Sequence, residues 1–112
     1  MLIAALASVV ISSCYDGDTC RTTTEERIRL ACIDTPELRG KRANPIPAAA
    51  ARDHLNDMVA GQQVGLRRIT TDRYGRTVGE LFIDGSNVQQ RMVASGHAEI
   101  YWKYAHQCPW TR

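Results

Sequence analysis

A chain of 112 residues, 44% hydrophobic and 23% charged, carries the material of one domain. Its formal net charge of +2 permits a polyanionic partner without requiring one, and most of its 14 basic residues are arginine, whose rigid fork suits phosphate. No apolar run is long enough to span a membrane, and the four cysteines, Cys14, Cys20, Cys32 and Cys108, contain no C-x-x-C pair of the kind that builds a zinc site.

The chain opens "MLIAALASVVISS". Residues 1–7, with Ala5-Leu6-Ala7 ahead of Ser8, resemble the end of a secretory signal and its small-residue cleavage site. That reading points to a secreted or periplasmic protein whose domain spans 8–112; the other reading is an apolar first strand. Residues 8–15 are rich in β-formers, and "DGD" breaks the run. "TCRTTT" (19–24) is again strand-like. In "ERIRLACI" (26–33), Ile28, Leu30 and Cys32 alternate with Arg29, Ala31 and Ile33, the period of a strand with one buried face. Three meander strands are therefore predicted first.

"DTPELRGKRANPIP" follows as a loop that carries Arg39, Lys41 and Arg42. Pro47 suits the first turn of a helix, and Ala51, Leu55, Met58 and Val59 form one apolar helical stripe that Gly61 stops. "QQVGLRRI" and "VGELFI" read as strands around the polar turn "TTDRYGRT". Ser86 and Gln89 fit an S-x-x-Q capping box, Val88, Met92 and Val93 give a second helix its apolar side, and Gly96 ends it. The order β-β-β-α-β-β-α is that of a five-stranded Greek-key barrel of the OB type, α+β in class. The cysteines allow three full pairings, or serve as small core residues; Cys14 and Cys20 flank the first turn and could face each other across a hairpin.

Four acids stand at strand ends or turns: Asp16, Asp18, Asp34 and Glu37. Singly, each has an ordinary use in a turn, a cap or a solvated loop. Together they suggest more. A meander brings the ends that hold Asp18 and Asp34 close, and two nearby carboxylates repel unless a hard cation such as Ca²⁺ takes their oxygens. A third carboxylate beside the ion could then act on water. Arg29 and Arg76 are the opposite charges, a natural clamp for a phosphodiester. In an unbroken strand Arg29 and Asp34, five apart, point to opposite faces, so Asp34 must lie past the strand end or beyond a bulge.

"YDGDT", "RLACIDTPE", "DRYGR" and "AEIYWKY", in that order and spacing, resemble the staphylococcal nuclease (thermonuclease) family, as do "MVAGQQV" and "DGSNVQQRMVASGHA"; the likeness covers roughly residues 8–104. The resemblance implies an OB barrel with helices packed on it. It implies a Ca²⁺-dependent phosphodiesterase of low sequence specificity that acts on DNA and RNA and leaves 3′-phosphate ends. It implies Asp18, Asp34 and the Thr35 carbonyl as metal ligands, Glu37 as the group acting on water, and Arg29 and Arg76 on the phosphate. Tyr74 and Tyr104 would contact nucleotide, and Asp16 would sit near the metal without binding it. Single-stranded or unpaired substrate, a monomer and no membrane partner are expected. Trp102 stands where the best-known member has a second tyrosine, and that member's third helix has no counterpart before Arg112, as in a C-terminally truncated domain. The rival readings are an OB module that binds nucleic acid without cleaving it, and an inactive truncated homologue.

Overall fold

The computed structural model describes residues 6–112, so the signal-like segment falls, for residues 1–5, outside the described residues. Strands β1 (Ala7–Asp16), β2 (Thr19–Thr22) and β3 (Arg27–Leu30) form the antiparallel meander. After β4 (Ile33–Asp34) come helix α1 (Pro45–Val59), β5 (Gln63–Thr71), β6 (Thr77–Ile83), β7 (Ser86–Asn87), helix α2 (Val88–Ala94) and β8 (Glu99–Ile100). The main sheet runs β3-β2-β1-β5-β6-β7, and a parallel pairing of β3 with β6 closes its first five strands into a barrel. Closure removes the unpaired edges an open sheet would present. It also forces a close approach at Gly79, where a Cβ would lie 2.7 Å from the Arg67 carbonyl oxygen and 2.9 Å from Leu66 Cδ1.

Inside the barrel lie Ile11, Ile28, Leu30, Leu66 and Leu81, all buried. Helix α1 caps this core. Pro45 opens it where the missing N–H costs nothing, and Ala48, Ala51, Leu55 and Val59 turn one face inward. Burying a side chain such as Leu55 contributes about 1.5–3 kcal/mol. Helix α2 adds Val88 and Met92.

Two sequence expectations change. The Ser86–Gln89 capping box does not form. Ser86 pairs with Ile83, and Asn87 caps α2 by accepting the Gln90 N–H at 2.9 Å. Gln89 is fully buried: its amide donates to the Gly79 and Ala31 carbonyls and accepts the Leu81 N–H. A buried amide goes where backbone groups lack partners, and here they lie beside the closing strands. Second, the single strand read over 26–33 is broken. β3 ends at Leu30, Ala31 and Cys32 turn, and β4 starts at Ile33.

All four cysteines are bonded, Cys14 to Cys20 and Cys32 to Cys108. The first bridge lies in the main core, across the β1–β2 hairpin. The second lies in a separate small cluster with Ala31, against Ile69, Val78 and Trp110. It ties the short helical turns Ala105–Gln107 and Pro109–Thr111 to the end of β3.

Candidate active site

The two-residue turn Gly17-Asp18 joins β1 to β2, with Asp16 paired to Thr19. Asp16 Oδ1 accepts the Asp18 N–H at 3.0 Å, and the Asp18 carbonyl accepts the Leu30 N–H at 2.7 Å. This backbone is fixed before any function is asked of it. Gly17 has a reason other than its dihedral freedom. A Cβ there would meet Ala51 Cβ at 2.8 Å and Thr35 Cγ2 at 2.9 Å, so the turn is wedged between α1 and the loop after β4.

The wedge sinks Asp18, which is only 8% exposed. Its carboxylate accepts from Thr35 Oγ1 at 3.1 Å and Thr19 Oγ1 at 3.2 Å, and faces Arg29 Nη2 at 3.4 Å. Burial pushes its acid up to about 7; the Arg29 charge pulls it down, and the neighbouring Asp16 raises it further. A buried carboxylate crowded by another acid is a place for a cation.

Arg29 is held as firmly. Its guanidinium donates to the Leu30 carbonyl at 2.6 Å and to the Ile33 carbonyl at 3.0 Å. The break at Ala31–Cys32 answers the facing problem raised by the sequence: Cys32 takes φ 69°, a left-handed conformation that costs a residue with a side chain roughly 1–2 kcal/mol. With the strand broken there, Arg29 and Asp34 line the same cleft.

That cleft, ≈ 320 Å³, is lined by Asp16, Asp18, Arg29, Asp34, Thr35 and Glu37 among others. Asp34 and Glu37 are exposed on it. A loop fixes Glu37, whose carbonyl accepts the Asn44 N–H at 2.9 Å just ahead of α1. Arg76, Tyr74 and Tyr104 do not line this cleft. They line a larger recess of ≈ 660 Å³ next to it, and Arg29 belongs to both. Arg76 there donates to Asp72 Oδ2 at 2.7 Å and lies over the Tyr74 ring, 5.4 Å from its centre.

Several contributors lie outside the candidates that the sequence marks. Asp72, in the polar turn, orients Arg76 through its side chain and also accepts the backbone N–H groups of Tyr74 and Arg76. Arg27 donates to the Tyr74 carbonyl and so steadies the same turn. An acid four residues before an arginine was the available signal for Asp72; nothing local marks Cys32 or the wedge at Gly17.

Among the described residues, no three His, Cys, Asp or Glu side chains gather as a metal-binding group. The expected set never required three, being two carboxylates and a backbone carbonyl. The donors present fit a hard cation by chemistry: all are oxygens, and one is a buried carboxylate whose only close cation among the described residues is Arg29.

The sequence model described as "Staphylococcal nuclease homologue" matches residues 27–110. An Escherichia coli O157:H7 protein named "Uncharacterized endonuclease" is 37% identical over 93 residues, which cover 80% of this chain and 58% of that protein. The Arabidopsis thaliana "Staphylococcal-like nuclease CAN1" is 38% identical over 90 residues, 75% of this chain and 25% of the plant protein. An "Uncharacterized endonuclease" of Haemophilus influenzae is 33% identical over 95 residues, 81% of this chain and 51% of that protein. The chain therefore spans little more than half the length of these bacterial relatives, and less of the plant one.

Proposed function

The chain belongs to the staphylococcal nuclease family, and from that premise we propose that it is a Ca²⁺-dependent nuclease. It hydrolyses phosphodiester bonds of DNA and RNA with low sequence specificity and leaves 3′-phosphate ends. One observation carries the reading. A clamped guanidinium, Arg29, meets a buried carboxylate, Asp18, at 3.4 Å in a cleft that Asp34, Thr35 and Glu37 also line. A binding module needs basic and aromatic groups but has no use for three acids around one arginine.

Asp18, Asp34 and the Thr35 carbonyl would hold the cation, which when bound supplies positive charge against a phosphate oxygen. Glu37, exposed at the rim, takes a proton from the water that adds to phosphorus. The bond from phosphorus to the 5′ oxygen breaks in line, and that oxygen leaves as a hydroxyl after taking a proton from solvent. Arg29 already spends two donors on backbone carbonyls, so it meets the phosphate in a fixed orientation and spares the reaction that ordering cost. Arg76 reaches the phosphate from the adjoining recess, where Tyr74 and Tyr104 offer faces for bases. Stacking of this kind favours single-stranded or unpaired substrate. Two disulfides are in keeping with an oxidising compartment, which supports a secreted or periplasmic site of action.

Hydrolysis of single-stranded DNA, with Ca²⁺ and with chelator, tests the reading. Cleavage that survives the chelator removes the metal from it. Glu37→Gln separates cleavage from binding: turnover should vanish while affinity for an oligonucleotide persists. An oxidised wild-type protein that binds without cleaving would instead identify a non-catalytic module.

A further inference from the structure

The turn that brings Arg29 and Asp34 into one cleft is held by the C-terminal segment. Cys32, in its left-handed conformation, accepts the Tyr101 N–H on its carbonyl at 2.8 Å. β4 pairs with β8 directly after it, Ile33 with Ile100 and Asp34 with Glu99. The disulfide to Cys108 is the third tie, 76 residues away in sequence. The carbonyls that clamp the Arg29 guanidinium, of Leu30 and Ile33, bracket this same turn. The far side of the bond bears on the neighbouring recess. Tyr101, Tyr104 and Cys32 all line it, and the Tyr104 carbonyl lies 3.3 Å from Cys32 Sγ.

The two bridges are not equivalent. Cys14 and Cys20 sit in the main barrel core, whereas Cys32 and Cys108 belong to a smaller cluster outside it that touches it through Trp110. The second bridge can therefore open without emptying the barrel.

We propose that the Cys32–Cys108 disulfide is a positioning bond for the site: it holds the turn that aims Arg29 and Asp34 and seats the Tyr101–Tyr104 wall. Breaking it loosens the site while the barrel stays folded. A dithiol supplies the two electrons and two protons; the Cys32–Cys108 bond becomes two thiols as the dithiol closes to its own disulfide. In its activity arm the proposal rests on the nuclease reading, and in its structural arm it does not.

The test uses the full chain, oxidised, reduced with dithiothreitol, and as the variants C32S/C108S and C32G/C108S. Hydrogen exchange followed by mass spectrometry should show faster exchange at residues 31–36 and 99–104 in the reduced protein and in C32S/C108S. In C32S/C108S, which leaves the Cys14–Cys20 bridge intact, residues 8–13 and 64–69 of the barrel should keep their protection. In the activity arm, C32S/C108S should lose at least about tenfold in kcat/KM on single-stranded DNA, as expected for a misplaced arginine. Glycine adopts the left-handed turn without strain, so C32G/C108S should recover most of kcat while KM stays raised, because the aromatic wall remains untied. Unchanged exchange at 31–36 on reduction overturns the proposal. So does loss of protection throughout the barrel in C32S/C108S, where the Cys14–Cys20 bridge is intact, since the Cys32–Cys108 bond would then hold the fold rather than the site. Equal kcat in the two double variants overturns the role assigned to the turn. If the oxidised wild type does not cleave, the nuclease reading fails, and the exchange measurement still decides the disulfide.

Discussion

Thr35 Oγ1 donates a 3.1 Å hydrogen bond to Asp18 Oδ2, across 17 residues of sequence. The bond joins the β1–β2 turn to the loop after β4, so the Asp18 carboxylate and the Thr35 backbone are set relative to each other by one contact. Thr35→Val keeps the shape and removes the hydroxyl. A buried carboxylate that loses a donor costs about 1–3 kcal/mol, and outer contacts of this kind typically cost 10–100-fold in metal affinity. Calorimetric titration with Ca²⁺ should show that weakening, with cleavage at saturating Ca²⁺ falling less. An unchanged Ca²⁺ affinity would mean that the contact orients nothing the cation uses.

The wedge at Gly17 is a separate matter. Alanine there puts its methyl 2.8 Å from Ala51 Cβ, and neither neighbour is the tip of a flexible chain. Overpacking of this sort costs roughly 1–3 kcal/mol. Gly17→Ala should lower the urea midpoint with an unchanged m-value, and should reduce cleavage beyond what the lost folded fraction explains, because Asp18 moves with the turn. A variant as stable and as active as wild type would show that α1 simply shifts aside.

The barrel was legible because period-two strands and a period-3.6 helix are local patterns, and the acids and arginines stood out as residue types at turns. What stayed hidden depends on contacts between distant residues. Gly17 looked like a turn glycine, and its packing reason lies at Ala51 and Thr35. Gln89 looked like a cap, and its partners lie on β6 and at Ala31. Cys32 continued the alternation of its strand; only the pairing of β4 with β8 and the bond to Cys108 reveal that the strand stops before it. The placement of Arg76 in a recess beside the carboxylate cleft was equally invisible, since it turns on Asp72.

Glu26 gives a pH-dependent expectation away from the site. It accepts from Arg68 Nε and Nη2 at 2.9 and 2.7 Å, and from Thr77 Oγ1 at 2.6 Å, linking the approach to β3 with β5 and β6. The hydrogen bonds from Arg68, first, hold its carboxyl below the ordinary 4.5; burial opposes them, and the Thr77 hydrogen bond and the Arg68 charge add to the lowering. A depressed acid contributes stability above its unfolded value, and that contribution is lost as pH falls through the lower folded value. The stability gap between wild type and Glu26→Gln should therefore be largest above about pH 5 and close below it. The pair is partly exposed, so the gap should be under about 1 kcal/mol and shrink in high salt. Urea midpoints from pH 3 to pH 7 measure it; a gap that grows as pH falls would reverse the assignment.

Asp72→Asn should separate the two arginines. Arg29 is clamped by backbone carbonyls, which no single side-chain change removes, whereas Arg76 depends on one carboxylate. Asparagine can still accept the N–H groups of Tyr74 and Arg76, so the turn survives while the charge that orients the guanidinium is gone. A positioning loss of this kind should lower kcat/KM by about tenfold, with stability changed by under about 1 kcal/mol, as for other partly exposed pairs. Activity equal to wild type would show that Arg76 swings free of Asp72 when substrate arrives.

Asp18 decides whether the site is held at the expense of the fold. A carboxylate on a side chain only 12% exposed has given up most of its hydration, and Thr35, Thr19 and Arg29 restore only part of it. Removing one partner of a buried ion pair usually destabilises, because the other charge is stranded. Arg29 would not be stranded: it keeps two carbonyl acceptors, and its side chain retains 18% exposure. Asparagine at position 18 also preserves an oxygen for the Thr35 hydroxyl. In chelator, then, Asp18→Asn should leave the urea midpoint unchanged or raise stability by up to about 2 kcal/mol, while Ca²⁺-dependent cleavage falls by at least about a hundredfold. A loss of stability well beyond that range, with Ca²⁺ affinity unaltered, would make Asp18 a structural acid and remove the ground for placing a cation beside it.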